Sequence, residues 1–128
     1  MTFGRRRILL VEDDSDLVMT LREVLECEGY EVLAAANGEA ALRACGSHPS
    51  LALVDLHIDG QVTGPHLISA LRDHLPLGAR LCLLSAERDL PERARELGAD
   101  GYLEKPFDIE QLLRLVADAF VEVEAPHP

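Results

Sequence analysis

Ile8, Leu9, Leu10 and Val11 follow one another with none of the polar alternation of a strand that keeps one face wet. A strand of this kind has to be covered on both faces. Similar short runs recur at Glu31–Ala35, Leu51–Val54, Leu81–Leu84 and Gly101–Glu104. Between them the apolar residues change to helical spacing: Leu17, Leu21, Val24, Leu25; the Ala-rich stretch Glu39–Cys45; Leu67, Ile68, Leu71, Leu75; Leu90, Ala94, Leu97; and Ile109, Leu112, Leu113, Val116, Phe120. The boundaries carry their own signals. Asp14 or Ser15 caps the first helix and Gly29 stops it, Asn37 caps the second, and His48-Pro49 breaks it. Gly64-Pro65 starts the third, Gly98 closes the fourth, and Asp108 with Gln111 opens the last. The stretch Leu56–Thr63 reads as loop.

Strand and helix therefore alternate five times. Continuous apolar strands in that order make a parallel α/β sheet with helices on both faces, doubly wound through right-handed crossovers. Ligands of such sheets gather at the carboxyl ends of the strands. A chain of 128 residues with 48% hydrophobic content suits a single domain, expected over 1–121, with 122–128 as a short polar tail and no effector domain visible.

Composition excludes several classes. The net charge of −11 argues against direct nucleic-acid binding. Arg5, Arg6 and Arg7 form the one basic run and read as a solvated strand edge. No apolar run approaches the length needed to span a bilayer, and the basic N-terminus is cut off by acids before it makes a signal peptide. Cys27, Cys45 and Cys82 form no C-x-x-C pair, so reduced thiols and a cytoplasmic location are expected.

The strand ends carry the chemistry. Strand one runs into Glu12 and Asp13, strand three into Asp55, strand four into Ser85 and strand five into Lys105, the single lysine beside eleven arginines. Three carboxylates, a hydroxyl and an ammonium should converge on one edge. Two like charges about 4 Å apart repel by roughly 4 kcal/mol at an effective dielectric near 20, so something must offset the repulsion or the acids must fan out into water. Mg²⁺ suits one or two carboxylates plus waters and a phosphate oxygen. Asp14 and Asp16 read instead as solvated acids at a helix N-terminus. His57 through its imidazole, His66 and His74 are not read as ligands.

Taken together, ILLVEDD, LALVDL, LLSA and GADGYLEKPF resemble the receiver domain of two-component response regulators over roughly residues 6–121. The resemblance implies a CheY-like, flavodoxin-like (βα)5 fold with strand order 2-1-3-4-5. It implies that Asp55 takes a phosphoryl group from the phosphohistidine of a sensor histidine kinase or phosphotransfer protein. Asp13 and Asp55 would hold Mg²⁺ (with Mn²⁺ as a substitute), Glu12 acting mainly through water and His57 through its backbone carbonyl. Ser85 and Lys105 would hold the phosphoryl oxygens, Tyr102 matches the family's switch aromatic, and the Lys105–Pro106 bond is typically cis. The protein would then be a signalling phosphoacceptor that catalyses only its own phosphorylation and dephosphorylation, not an enzyme with an external turnover. A downstream protein would read the face of the fourth helix, fifth strand and fifth helix, near Glu87–Leu97 and Tyr102–Val116.

Departures from the family pattern stand in DLHIDGQVTG: Ile58 and Asp59 replace a usual Met-Pro, and Gly64 lies one residue late. His57 and Glu87 flank the expected water path. Gln111 and Leu115 replace a Glu and an Arg that pair across winged-helix regulator dimers, which leaves only a weak homodimer in view. Other readings do less well. A haloacid-dehalogenase-type phosphatase needs D-x-D, and His57 stands where its second acid would. A dinucleotide module needs glycines where EDDSD stands. The remaining alternative is a receiver-like adaptor that binds partners without phosphorylation.

Overall fold

The structure, a computed structural model, describes residues 6–58, 61–62 and 65–124, with 61–62 and 121–124 described by their backbone alone. Five strands form the main sheet: β1 (Arg7–Val11), β2 (Glu31–Ala35), β3 (Leu51–Asp55), β6 (Arg80–Ser85) and β7 (Gly101–Glu104). Two short strands, β4 (His57–Ile58) and β5 (Gln61–Val62), pair antiparallel as a separate hairpin. The helices are α1 (Ser15–Cys27), α2 (Gly38–Ala44), α3 (Pro65–His74), α4 (Leu90–Leu97) and α5 (Ile109–Glu124), with one 3₁₀ turn at Cys45–Ser47.

The sheet order is β2-β1-β3-β6-β7 and every neighbouring pair is parallel. Counting only these five, the order is 2-1-3-4-5, the doubly wound arrangement expected. The hairpin corrects the reading of Leu56–Thr63 as plain loop. Asp59, Thr63 and Gly64, on which the lengthened-loop reading rests, lie outside the described residues.

The unbroken apolar runs are explained by a core on each face. Leu9, Val11, Ala52, Val54, Leu81 and Leu83 pack on one side with Ile68, Leu71, Leu90 and Ala94. Ile8, Leu10, Leu53, Cys82 and Leu84 alternate to the other side, against Leu21, Leu25, Leu112, Val116 and Phe120. Ile8 through Val11 are all fully buried. Covering both faces this way leaves only the sheet's ends for polar chemistry.

Helix ends follow the residues that mark them. Asp14, not Ser15, caps α1: its Oδ1 accepts the N–H groups of Asp16 (3.1 Å) and Leu17 (3.2 Å). Asn37 Oδ1 accepts the N–H of Ala40 at 2.8 Å. Gly98 ends α4 at φ 70°, the left-handed conformation that glycine tolerates best. Ahead of α5, Asp108 and Gln111 satisfy each other's backbone N–H groups at 2.9 and 2.8 Å, a reciprocal capping box.

Candidate phosphoryl and metal site

The carboxyl ends of β1, β3 and β7 bring Glu12, Asp13, Asp55 and Lys105 together. One carboxylate oxygen from each of Glu12, Asp13 and Asp55 lies within 4.8 Å of the others. Glu12 and Asp55 are buried, while Asp13 is exposed at the rim. Lys105 Nζ donates to Asp55 Oδ2 at 2.9 Å and to Glu12 Oε1 at 3.0 Å. One ammonium thus stands between two buried carboxylates, which partly answers the repulsion expected of the acids.

It does so incompletely. With all four groups ionised, three carboxylates and one ammonium leave about two negative charges at the site. Glu12 Oε2 is buried without a hydrogen-bond donor, an arrangement that ordinarily carries an energetic penalty. The Glu12 carboxyl is raised to about 7, first by burial and then by Asp55, against the pull of Lys105. Burial also pushes Asp55 upward, but the hydrogen bonds with Glu12, the His57 N–H and Lys105 outweigh it and hold its pKa below the ordinary value. For Lys105 the burial effect is likewise overcome, and its two carboxylate partners raise it. A surplus of negative charge, a buried carboxylate oxygen without a donor and an all-oxygen donor set fit a hard divalent cation.

The other expected site residues lie around this centre. His57 donates its N–H to Asp55 Oδ1 at 2.9 Å, which fixes the chain leaving β3. Its imidazole reaches the loop between β6 and α4, with Nε2 3.4 Å from Glu87 Oε1. Ser85 ends β6, one position past the register partner of Asp55, and is buried. Its Oγ accepts the N–H of Glu87 at 3.0 Å. Tyr102 pairs in register with Leu83, two residues before Ser85, and is 43% exposed. The Lys105–Pro106 peptide is cis.

Arg93 was not singled out by the sequence, yet its Nε lies 3.6 Å from Glu87 Oε2. Together with the His57 contact, this joins the segment after Asp55 to α4. Arg93 sits at an ordinary helical position, and nothing in its neighbours marks it out.

A five-stranded doubly wound sheet with acids and a lysine at its carboxyl edge is the arrangement that the receiver resemblance implies. The chain belongs to the response regulator receiver domain family, whose model matches residues 8–117. Among curated proteins it is 35% identical over 113 residues to the transcriptional regulatory protein PrrA of Mycobacterium tuberculosis, covering 86% of this chain and 48% of that one. It is 36% identical over 130 residues to the transcriptional regulatory protein PdtaR of the same species, covering 94% and 60%. The chain spans about half the length of the curated relatives it matches first. Among solved structures, a putative response regulator from Chloroflexus aurantiacus matches with a TM-score of 0.78 at 32% identity, over 92% of this chain and 99% of that one. A CheY-like receiver domain protein from Methanospirillum hungatei gives a TM-score of 0.83 at 27% identity, over 94% and 98%.

Proposed function

We propose that this receiver accepts a phosphoryl group on Asp55 from the phosphohistidine of a sensor histidine kinase or phosphotransfer protein, and that the modified form controls a downstream protein. The observation that carries this reading is the placement of Lys105 Nζ, 2.9 Å from Asp55 Oδ2 inside the acid cluster. Phosphoryl transfer asks for in-line positioning and charge neutralisation more than for covalent work by the protein. Asp55 serves as the nucleophile, its carboxyl kept ionised by a pKa below the ordinary value, and the His57 N–H on its Oδ1 serves the first need by fixing its orientation. Lys105 meets the second, shifting from carboxylate to phosphoryl oxygens as charge arrives.

Mg²⁺ would be held by Asp13 and Asp55, by Glu12 through water and by the backbone carbonyl of His57. When bound, it would supply positive charge toward the phosphoryl oxygens. Ser85 Oγ already accepts the Glu87 N–H, so its own O–H is left to donate to a phosphoryl oxygen. Turning it inward would open room for half-exposed Tyr102. The new group carries about −1.5 to −2 charge, enough to reorder the polar groups around it. The surface expected to change is that of α4, β7 and α5. Among the described residues no helix is long and apolar enough to cross a membrane, and we place the protein in the cytoplasm.

Intact mass after incubation with acetyl phosphate and Mg²⁺ tests the reading. One phosphoryl group should be gained, and lost in Asp55→Asn or without Mg²⁺. A folded protein that gains none would instead be a receiver-like adaptor.

A further inference from the structure

The carboxyl edge of the sheet carries a reactive pair that the acid site does not use, Asn37-Gly38. Asn37 is the only asparagine in the chain. It stands two residues beyond the Val11–Ala35 pair on the β2 side, as Asp13 does on the β1 side, so both belong to one edge. Asn37 is exposed, and its backbone is extended at φ −154° and ψ 174°. Its Oδ1 accepts the Ala40 N–H at 2.8 Å. Gly38 opens α2, so its own N–H is one of the first-turn donors with no acceptor inside the helix. Nor does Gly38 carry a side chain to crowd that nitrogen. A Cβ there would meet Leu67 Cδ1 at 3.2 Å.

We propose that Asn37 is a self-modifying site, converted in the folded protein to aspartate or isoaspartate by attack of the Gly38 nitrogen. The Gly38 N–H gives its proton to solvent base, and the nitrogen bonds to Asn37 Cγ. The Cγ–Nδ2 bond then breaks, and ammonia leaves with a proton taken from water, closing a cyclic imide. Water reopens the ring on one side or the other. Cleavage at the side-chain carbonyl gives aspartate, and cleavage at the main-chain carbonyl gives isoaspartate. The net change is one water taken up for each ammonia released, so no further reactant is needed. Aspartate can still cap α2, gains from the positive end of that helix, and adds a charge to the edge that holds Glu12, Asp13 and Asp55. Isoaspartate puts an extra methylene into the main chain, so the cap bond to Ala40 is lost. That bond also sets the pace. While Oδ1 holds Ala40 and Gly38 is helical, the nitrogen cannot swing onto Cγ, so the ring closes only when the first turn of α2 opens. α2 has seven residues, and opening its end costs far less than unfolding the sheet. The native rate should trail that of the unfolded chain by roughly 5- to 30-fold, the weight of one cap. Reaction through global unfolding alone would trail by about 1,000-fold or more.

The experiment holds the protein at pH 8 and 37 °C, either folded or unfolded in guanidinium chloride. Ion exchange counts the acidic species, and mass locates the change of amide to acid in the tryptic peptide Glu23–Arg43. The native-to-unfolded ratio is read within one sequence, so no variant has to fold for that comparison. A ratio in the range set by the cap, with the acidic species absent from Asn37→Ser, supports the assignment. Serine keeps a capping side chain and removes the reacting amide. Gly38→Ala should slow the unfolded chain as well, because a methyl group beside the nitrogen crowds its attack. A folded protein that converts only at the pace of global unfolding would overturn the proposal and leave Asn37 a cap and nothing more. Acidic species that persist in Asn37→Ser would also overturn it, since the charge would then arise elsewhere.

Discussion

Lys105 balances the site, because it is the group that lets Glu12 and Asp55 lie buried side by side. Its Nζ reaches both carboxylates within 3.0 Å, yet its side chain is still 24% exposed. Replacing it by Met keeps most of the stem and deletes the charge. Breaking a fully buried pair by removing one partner costs about 3–5 kcal/mol; partial exposure of the ammonium reduces that here to about 2 kcal/mol. Lys105→Met should therefore lower the urea midpoint at pH 8 and slow phosphoryl gain from acetyl phosphate by about 100-fold or more. Unchanged transfer would show that the ammonium is a structural counter-ion and nothing else. The residue was legible in the sequence as a lysine ending an apolar run before proline. Its pairing with Glu12 was not, since it spans 93 residues and depends on how β1 and β7 are placed across the sheet. The same holds for Arg93, whose role exists only because α4 passes close to Glu87.

Among the elements, those whose ends are set by local chemistry were read well, and those created by pairing were not. Asn37, Gly98 and the Asp108–Gln111 box act within one turn of chain, so their residue types suffice. Choosing between Asp14 and Ser15 needed geometry, because either side chain can cap. The β4–β5 hairpin left only the Asp59-Gly60 dipeptide as a signal, because each strand has two residues, too few for alternation to show. Another feature invisible in sequence is the clamp at the sheet's amino end. Asp100 Oδ2 accepts from Arg72 Nη2 at 2.9 Å and from the Leu81 N–H at 2.8 Å, while Arg80 Nη1 stands 3.7 Å from Oδ1. It ties α3, the turn after α4 and the start of β6 together, far from the acids. Asp100→Ala should destabilise by about 1–2 kcal/mol, read in urea, because two donors lose their acceptor. Phosphoryl gain at Asp55 should persist at 25 °C. Its loss in a protein that remains folded would mean that the clamp also sets the site.

For the whole molecule, the acid cluster makes stability depend on pH and on metal together. In the metal-free protein Glu12 holds its proton up to about 7, whereas an ordinary glutamate releases it near 4.5. Between those values the folded state binds more protons than the unfolded chain. Stability due to Glu12 is therefore fully present below 4.5 and falls as pH rises through about 7, by about 3 kcal/mol. Asp55 runs the other way, but its lowered pKa acts below its ordinary 3.8, outside this window. Lys105 acts only above 10.5, where its raised pKa makes its contribution disappear. The difference in unfolding free energy between wild type and Glu12→Gln should thus decline from pH 5 to pH 8 in EDTA, since the amide has no proton to lose. A divalent cation competes with that proton. Mg²⁺ held at the proposed site would stabilise the folded state by RT ln(1 + [Mg²⁺]/Kd), with a Kd expected to tighten as Glu12 ionises. A fixed Mg²⁺ concentration should then raise the thermal midpoint of wild type more at pH 8 than at pH 5.5, opposing the slope that Glu12 alone produces. Equal Mg²⁺ shifts at the two pH values would show that Glu12 holds no unfavourable proton, and that the orphaned oxygen is satisfied by water instead of awaiting a cation.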